Sequence, residues 1–90
     1  MKTIRRTTQF KKDVKRAKRR GKDLGTLKEV IEKLVTGEPL EARYRDHALS
    51  GPWRGTRDCH LEPDWLLLYQ TSSEEIVLVR TGTHSDLFDE

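Results

Sequence analysis

Apolar residues recur along this chain with two different spacings, and the change falls near residue 53. In the first part Phe10, Val14 and Ala17 stand at i, i+4 and i+7, a narrow stripe on a segment otherwise crowded with Lys and Arg, which predicts an amphipathic helix. Thr7 or Thr8 can cap its start with a hydroxyl. Lys18, Arg19 and Arg20 fill its last turn, where cations oppose the negative end of the helix dipole, and Gly21 ends it. Leu27, Val30, Ile31, Leu34 and Val35 follow at i, i+3, i+4, i+7 and i+8 and predict a second helix. Asp23, or a capping box of Thr26 and Glu29, starts it, and Gly37 and Pro39 stop it. So short a link makes the two an antiparallel hairpin. Ahead of them, Thr3 and Ile4 permit a first strand within residues 2–6.

From Trp53 the period shortens. Trp53 to Leu61, Trp65 to Gln70 and Ile76 to Gly82 read as three extended runs, parted by turns at Glu62-Pro63-Asp64 and at Thr71 to Glu75. Short links favour antiparallel pairing. The middle run, Trp65 to Tyr69, is apolar on both sides and predicts a central strand. In the last run Val77 and Val79 are expected to face the helices and Arg80 to face away. Residues 38–52, punctuated by Pro39, Gly51 and Pro52, read as irregular, and Thr83 to Phe88 as one short helical turn. The expected fold is α+β: an N-terminal strand and a two-helix hairpin packed on one face of a four-stranded, mainly antiparallel sheet, in a single domain spanning 1–90.

Composition narrows the classes of function. Only 33% of residues are apolar and 37% are charged, so the core is modest. A single cysteine forms no internal disulfide and suits a reducing compartment. No apolar run approaches the roughly 20 residues of a membrane-spanning helix, and nothing near the start resembles a signal peptide. A cytoplasmic location with no membrane partner is expected. The net charge of +3 hides an asymmetry: residues 1–22 carry eleven Lys and Arg against the single acid Asp13, whereas residues 23–90 carry seven bases and fourteen acids. A basic face of that density attracts phosphate backbones or an acidic protein segment, although it also serves simply as a solvated helix face.

The stretch His47 to Trp65 (HALSGPWRGTRDCHLEPDW) holds two of the three histidines, the only cysteine, both tryptophans and two of the three prolines. Strand alternation places Thr56, Asp58 and His60 on one face and Arg57, Cys59 and Leu61 on the other. With Cys59 and Leu61 under the helices, His60 looks out from the uncovered face, and Asp64 and Trp65 follow across the turn. Arg57 is then directed inward, which alternation leaves without explanation. Cleavage of RNA by its own 2′-hydroxyl needs a base for that proton, an acid for the departing 5′-oxygen and cations for the phosphorane charge. Histidine fills either proton-transfer role near neutral pH. His47, His60, His84 and Asp64 supply such a catalytic set, with Arg80 and the basic helix as phosphate partners. Trp65 and Phe88 offer flat surfaces on which unpaired bases stack, while Trp53 reads as core. Zinc is the competing use of three histidines and a carboxylate, and His60-x-x-x-Asp64 is a usable spacing. But Cys59 and His60 point to opposite faces and neither a CxxC nor an HExxH pattern is present, so no metal or other cofactor is expected.

Arg45 to Tyr69 (RDHALSGPWRGTRDCHLEPDWLLLY) followed by Arg80 to Phe88 (RTGTHSDLF) resembles the RelE/ParE toxin superfamily, in the YafQ-like branch of type II toxin–antitoxin systems. The DH, RDxHxxPDW and GTHxxLF elements stand in that family's order and spacing, and the resemblance extends over the helical hairpin. It implies a RelE-like fold and a ribosome-dependent endoribonuclease that enters the A site, beside ribosomal RNA, and cuts mRNA within a codon. It implies catalytic roles for His47, His60, Asp64 and His84, with His84 as the favoured general acid and Asp64 or His60 as base, and supporting aromatic roles for Trp65 and Phe88. Asp58, beside His60, is then placed to accept a hydrogen bond from a base amino group. The implied partner is a RelB/DinJ-type antitoxin whose acidic segment covers the basic surface or the site. Two rival functions share parts of these features: a ParE-like gyrase poison, which has no need of imidazoles, and a nucleic-acid-binding module without catalysis.

Overall fold

The structure, a computed structural model, describes residues 1–88. Strand β1 (Thr3–Arg6) leads into helix α1 (Thr8–Arg19), whose first turn is capped by the Thr7 hydroxyl accepting the Phe10 amide at 2.9 Å. Gly21, with φ +78°, reverses the chain in the left-handed conformation that glycine adopts at least cost. Helix α2 (Leu24–Thr36) begins on Asp23, whose carboxylate accepts the Gly25 amide at 2.9 Å, so Asp23 rather than Thr26 is its cap. Strands β2 (His47–Ala48), β3 (Arg57–Glu62), β4 (Trp65–Thr71) and β5 (Glu75–Gly82) follow, and α3 (His84–Phe88) is the short helical turn foreseen at the tail.

The sheet has five strands in the order β1-β5-β4-β3-β2, with β1 parallel to β5 and the other pairs antiparallel. The α+β class and the central place of β4 match expectation; the strand count is one higher. The extra strand is β2, two residues pairing with Arg57 and Asp58 inside a stretch read as irregular. Two residues are too few to show a period. Trp53 belongs not to β3 but to a 3₁₀ turn, Gly51–Trp53, and β3 starts only after Gly55, which has φ +90°.

Phe10, Ala17, Leu27, Val30 and Leu34 of the helices close over Cys59, Leu61, Trp65, Leu67, Tyr69, Ile76 and Leu78 of the sheet. In β5 the inward phase is therefore Ile76 and Leu78, not Val77 and Val79; Val79 packs on the opposite face with Leu66, Leu68 and Leu87. A register shift opposite Leu68 and Tyr69 follows, and beyond it Arg80 turns to α1 instead of facing away. Arg57 is also explained. It sits at the rim of the helix-side core, where its Nε donates to Asp46 at 3.1 Å and the Tyr69 hydroxyl donates to the same oxygen at 2.6 Å. No helix among the described residues is long and apolar enough to cross a membrane.

Candidate active site

The face of the sheet away from the helices carries a row of imidazoles. Register decides this: His47 pairs with Asp58 and His60 with Leu66, and cross-strand partners share a face. The His47 and His60 rings lie 6.2 Å apart and nearly parallel, and His84, delivered by α3, stands 5.6 Å from His60. Phe88 continues the row 6.5 Å from His84 and rests against the edge of Trp53 at 5.9 Å. A small apolar cluster, Leu66, Leu68 and Leu87 with Leu49, Trp53, Val79 and Phe88 packed on it, floors this end. The face is thus partly covered, and Trp53 belongs to that cluster and not to the main core.

Each histidine has a different setting. The His84 Nδ1 lies 2.6 Å from Asp64 Oδ1, and its backbone N–H donates to the same oxygen at 2.9 Å. These two hydrogen bonds hold the Asp64 carboxyl below its ordinary pKa. An ionised carboxylate only accepts, so the proton sits on Nδ1 and Nε2 is the nitrogen left for substrate. The His47 Nδ1 likewise donates to the Arg45 carbonyl at 2.7 Å, while its Nε2 is 3.7 Å from Asp58 Oδ2. His60 sits between them with a buried Nδ1 that has no partner among the described residues. Burial pushes its pKa down, the Asp58 charge opposes this, and His84, Arg45 and His47 push it lower. A neutral ring able to accept a proton is the outcome.

Three residues expected to touch substrate are placed elsewhere. Trp65 is 1% exposed and lies in the helix-side core, because the head of a central strand has no solvent face; its ring offers no stacking surface. Arg80 donates from Nε and Nη2 to Asp13 at 3.0 Å each, so it is tied to α1 and is no free phosphate partner. Asp58 shares the histidines' face, but its side chain is only 5% exposed, and burial raises its pKa against the opposing pull of the three histidines. It underlies His47 and His60 and is too enclosed to read a base. His47, His60, Asp64, His84 and Phe88 are brought together.

Residues 2–89 match the model of the bacterial toxin of type II toxin–antitoxin systems, YafQ. The chain belongs to the YafQ toxin family. It is 47% identical over 81 residues, 89% of this chain and 88% of the other, to the mRNA interferase toxin YafQ of Escherichia coli K12. It superimposes with TM-score 0.90 and 44% identity on a chain of the E. coli DinJ–YafQ toxin–antitoxin complex, covering 97% of each. The same score and identity relate it to a metal-bound toxin from Helicobacter pylori, over 98% of this chain and 100% of that one. Among the described residues of this YafQ-family chain, no three or more His, Cys, Asp or Glu side chains are grouped to share one ion. Two of the imidazoles donate Nδ1–H to Arg45 and Asp64, which leaves Nε2 of each ring outward.

Proposed function

We propose that this chain is an mRNA interferase, a ribosome-dependent endoribonuclease that cuts mRNA in the A site by general acid–base chemistry without a metal. A single observation carries the reading: three imidazoles within 6.2 Å and 5.6 Å of one another on the exposed side of the sheet, one of them held by a carboxylate. In the reaction the ribose 2′-hydroxyl loses its proton to a base and attacks the adjacent phosphorus. The bond to the 5′-oxygen breaks as that oxygen receives a proton from an acid, leaving a cyclic phosphate and a 5′-hydroxyl. His60, kept neutral by burial, is the base. His84, with Nδ1 fixed on Asp64, presents Nε2 as the acid, so Asp64 orients and the base is His60. His47 supplies a donor to the developing phosphorane charge. Phe88, half-buried at the end of the row, offers a face to a base next to the cut. The partner in the cell is a RelB/DinJ-type antitoxin, as E. coli YafQ has in DinJ, and the site of action is the cytoplasm.

Translation-dependent cleavage of a reporter mRNA by wild type, His84→Ala and Asp64→Ala tests this. Loss of the acid should lower the rate by about 100-fold or more, and loss of its orienting carboxylate should also lower it. Wild-type rates in both variants would overturn the assignment. Chelator should leave cutting intact; loss that zinc restores would replace acid–base chemistry by a metal-assisted one. On induction in cells, protein synthesis should fail first, and earlier collapse of DNA supercoiling would point to gyrase as target.

A further inference from the structure

Helix α3 is five residues long, far below the length at which a helix holds itself in water, yet it carries His84 at its start and Phe88 at its end. Its internal geometry comes from a reciprocal cap. The Thr83 hydroxyl accepts the Asp86 amide at 3.0 Å, and Asp86 Oδ2 accepts the Thr83 amide at 3.0 Å. Its place against the rest of the molecule comes from α1. Arg20, the residue that ends α1, donates from Nη1 to Asp86 Oδ2 at 2.6 Å and from Nη2 to Oδ1 at 3.4 Å, across 66 residues of chain. Arg16 adds its charge at 3.8 Å. The Asp86 carboxylate is 14% exposed and lies close against the end of β5. A Cβ on Gly82 would stand 2.9 Å from Asp86 Oδ2 and 3.0 Å from its Cβ, so only glycine leaves the acid that seat.

We propose that Arg20 and Asp86 are positioning residues for RNA cleavage: their two-pronged ion pair, joining the end of α1 to the middle of α3, sets where His84 and Phe88 stand relative to His60. The proposal rests on the reading of His84 as catalytic. A bidentate guanidinium–carboxylate pair defines an angle as well as a distance, which a single ammonium cannot do. The capping box alone would keep α3 helical but leave it free to tilt on the Gly82–Thr83 connection. Arg20 therefore serves the site from the opposite layer of the molecule, and its charge is not part of any surface that grips phosphate.

Steady-state cleavage and proton NMR of Arg20→Ala, Asp86→Ala, Arg20→Lys and Gly82→Ala decide the matter, with Arg19→Ala removing an equal, exposed charge from the same helix. Displacing a catalytic group by roughly 1 Å can cost about 100-fold in rate. We expect Arg20→Ala, Asp86→Ala and Gly82→Ala each to lower kcat by about 10-fold or more on that ground, with little change in KM. Arg20→Lys should recover part of kcat, and Arg19→Ala should raise KM alone. In Arg20→Ala and Asp86→Ala, the His84 Nδ1–H signal and the Phe88 ring signals should shift while the methyl signals of Val30 and Leu67 and the Tm stay in place; general loosening would move all of them. If Arg20→Ala raises KM and spares kcat, or leaves the His84 signal where it was, Arg20 is only another RNA-facing cation and the proposal falls. If the wild type cuts no RNA while the His84 signal still moves in Arg20→Ala, it is the cleavage reading that fails, and the clamp remains as what places α3.

Discussion

His60 is the residue on which most of the site's electrostatics converge. Its ring is penned between two other imidazoles, with Asp58 beneath and Arg45 nearby, and burial dominates in holding its pKa down. As pH falls through about 6.5, the unfolded chain takes up the His60 proton before the folded chain does. Stability from the neutral, buried ring is complete above that pH and drains away as pH falls toward the depressed folded value. We expect the urea midpoint of wild type to fall more steeply between pH 7.5 and 5.5 than that of His60→Asn. Parallel curves for the two proteins would show that His60 is as readily protonated folded as unfolded. The three histidines could be picked from the sequence because their chemistry is rare and their strand phase was readable. Their different settings could not, since these depend on partners such as the Arg45 carbonyl and Asp64, which lie two residues away in one case and twenty in the other. The Arg20–Asp86 pair left only half a trace: Thr83-x-x-Asp86 is a capping-box spacing, but nothing in a row of Lys and Arg marks Arg20 as the one with a partner.

At the scale of elements, α1 is joined to the sheet by more than its apolar stripe. Asp13, the only acid in the first 22 residues, is buried and accepts from Gln9, Arg16, Nε and Nη2 of Arg80 and the Thr81 amide. Burial alone would raise its pKa; the bonds from Arg80, Gln9 and Thr81 outweigh it and leave the carboxyl below its ordinary value. Breaking a buried ion pair by removing one partner costs roughly 3–5 kcal/mol, and Arg80 keeps some water, so Asp13→Ala should cost about 3 kcal/mol. Urea unfolding measures it, and an unchanged midpoint would mean that Arg80 finds adequate solvation once the acid is gone. This node also holds one residue of β5 whose direction was misread. Ile76 and Leu78, not Val77 and Val79, take the helix side from the start of the strand, and the Asp13 charge holds Arg80 to α1 beyond the register shift. Helix α2, with a full apolar stripe, glycine stop and acidic cap, and β4, apolar on both faces, were legible because their surroundings agree with their local pattern.

Over the whole molecule the chemistry divides between layers. The helices cover one face of the sheet and the imidazoles stand on the other, while Lys11, Lys12, Lys15, Lys18 and Arg19 stand exposed on α1. Such cations release counterions when they meet phosphate. If three or four of them engage a single strand, log affinity for RNA should fall with log salt at a slope of about −2 to −3, and each of Lys15→Ala and Lys18→Ala should reduce that slope by about 0.7. Filter binding of a non-cleavable RNA across a salt series gives the slope, and a flat line would remove α1 from the RNA-binding surface.

By itself the sequence determined the element types, the α+β class, the basic N-terminal helix and the short roll of residues able to move protons, because each follows from spacing and side-chain chemistry along a continuous stretch. Only the tertiary structure decided which of those residues come together on one face and which are spent elsewhere. Trp65 went to the core, Arg80 to Asp13 and Asp58 beneath the imidazoles, while the two-residue β2 brought His47 beside His60. Burial, strand register and pairing between residues far apart in the chain are properties of the packed molecule, and no local period encodes them.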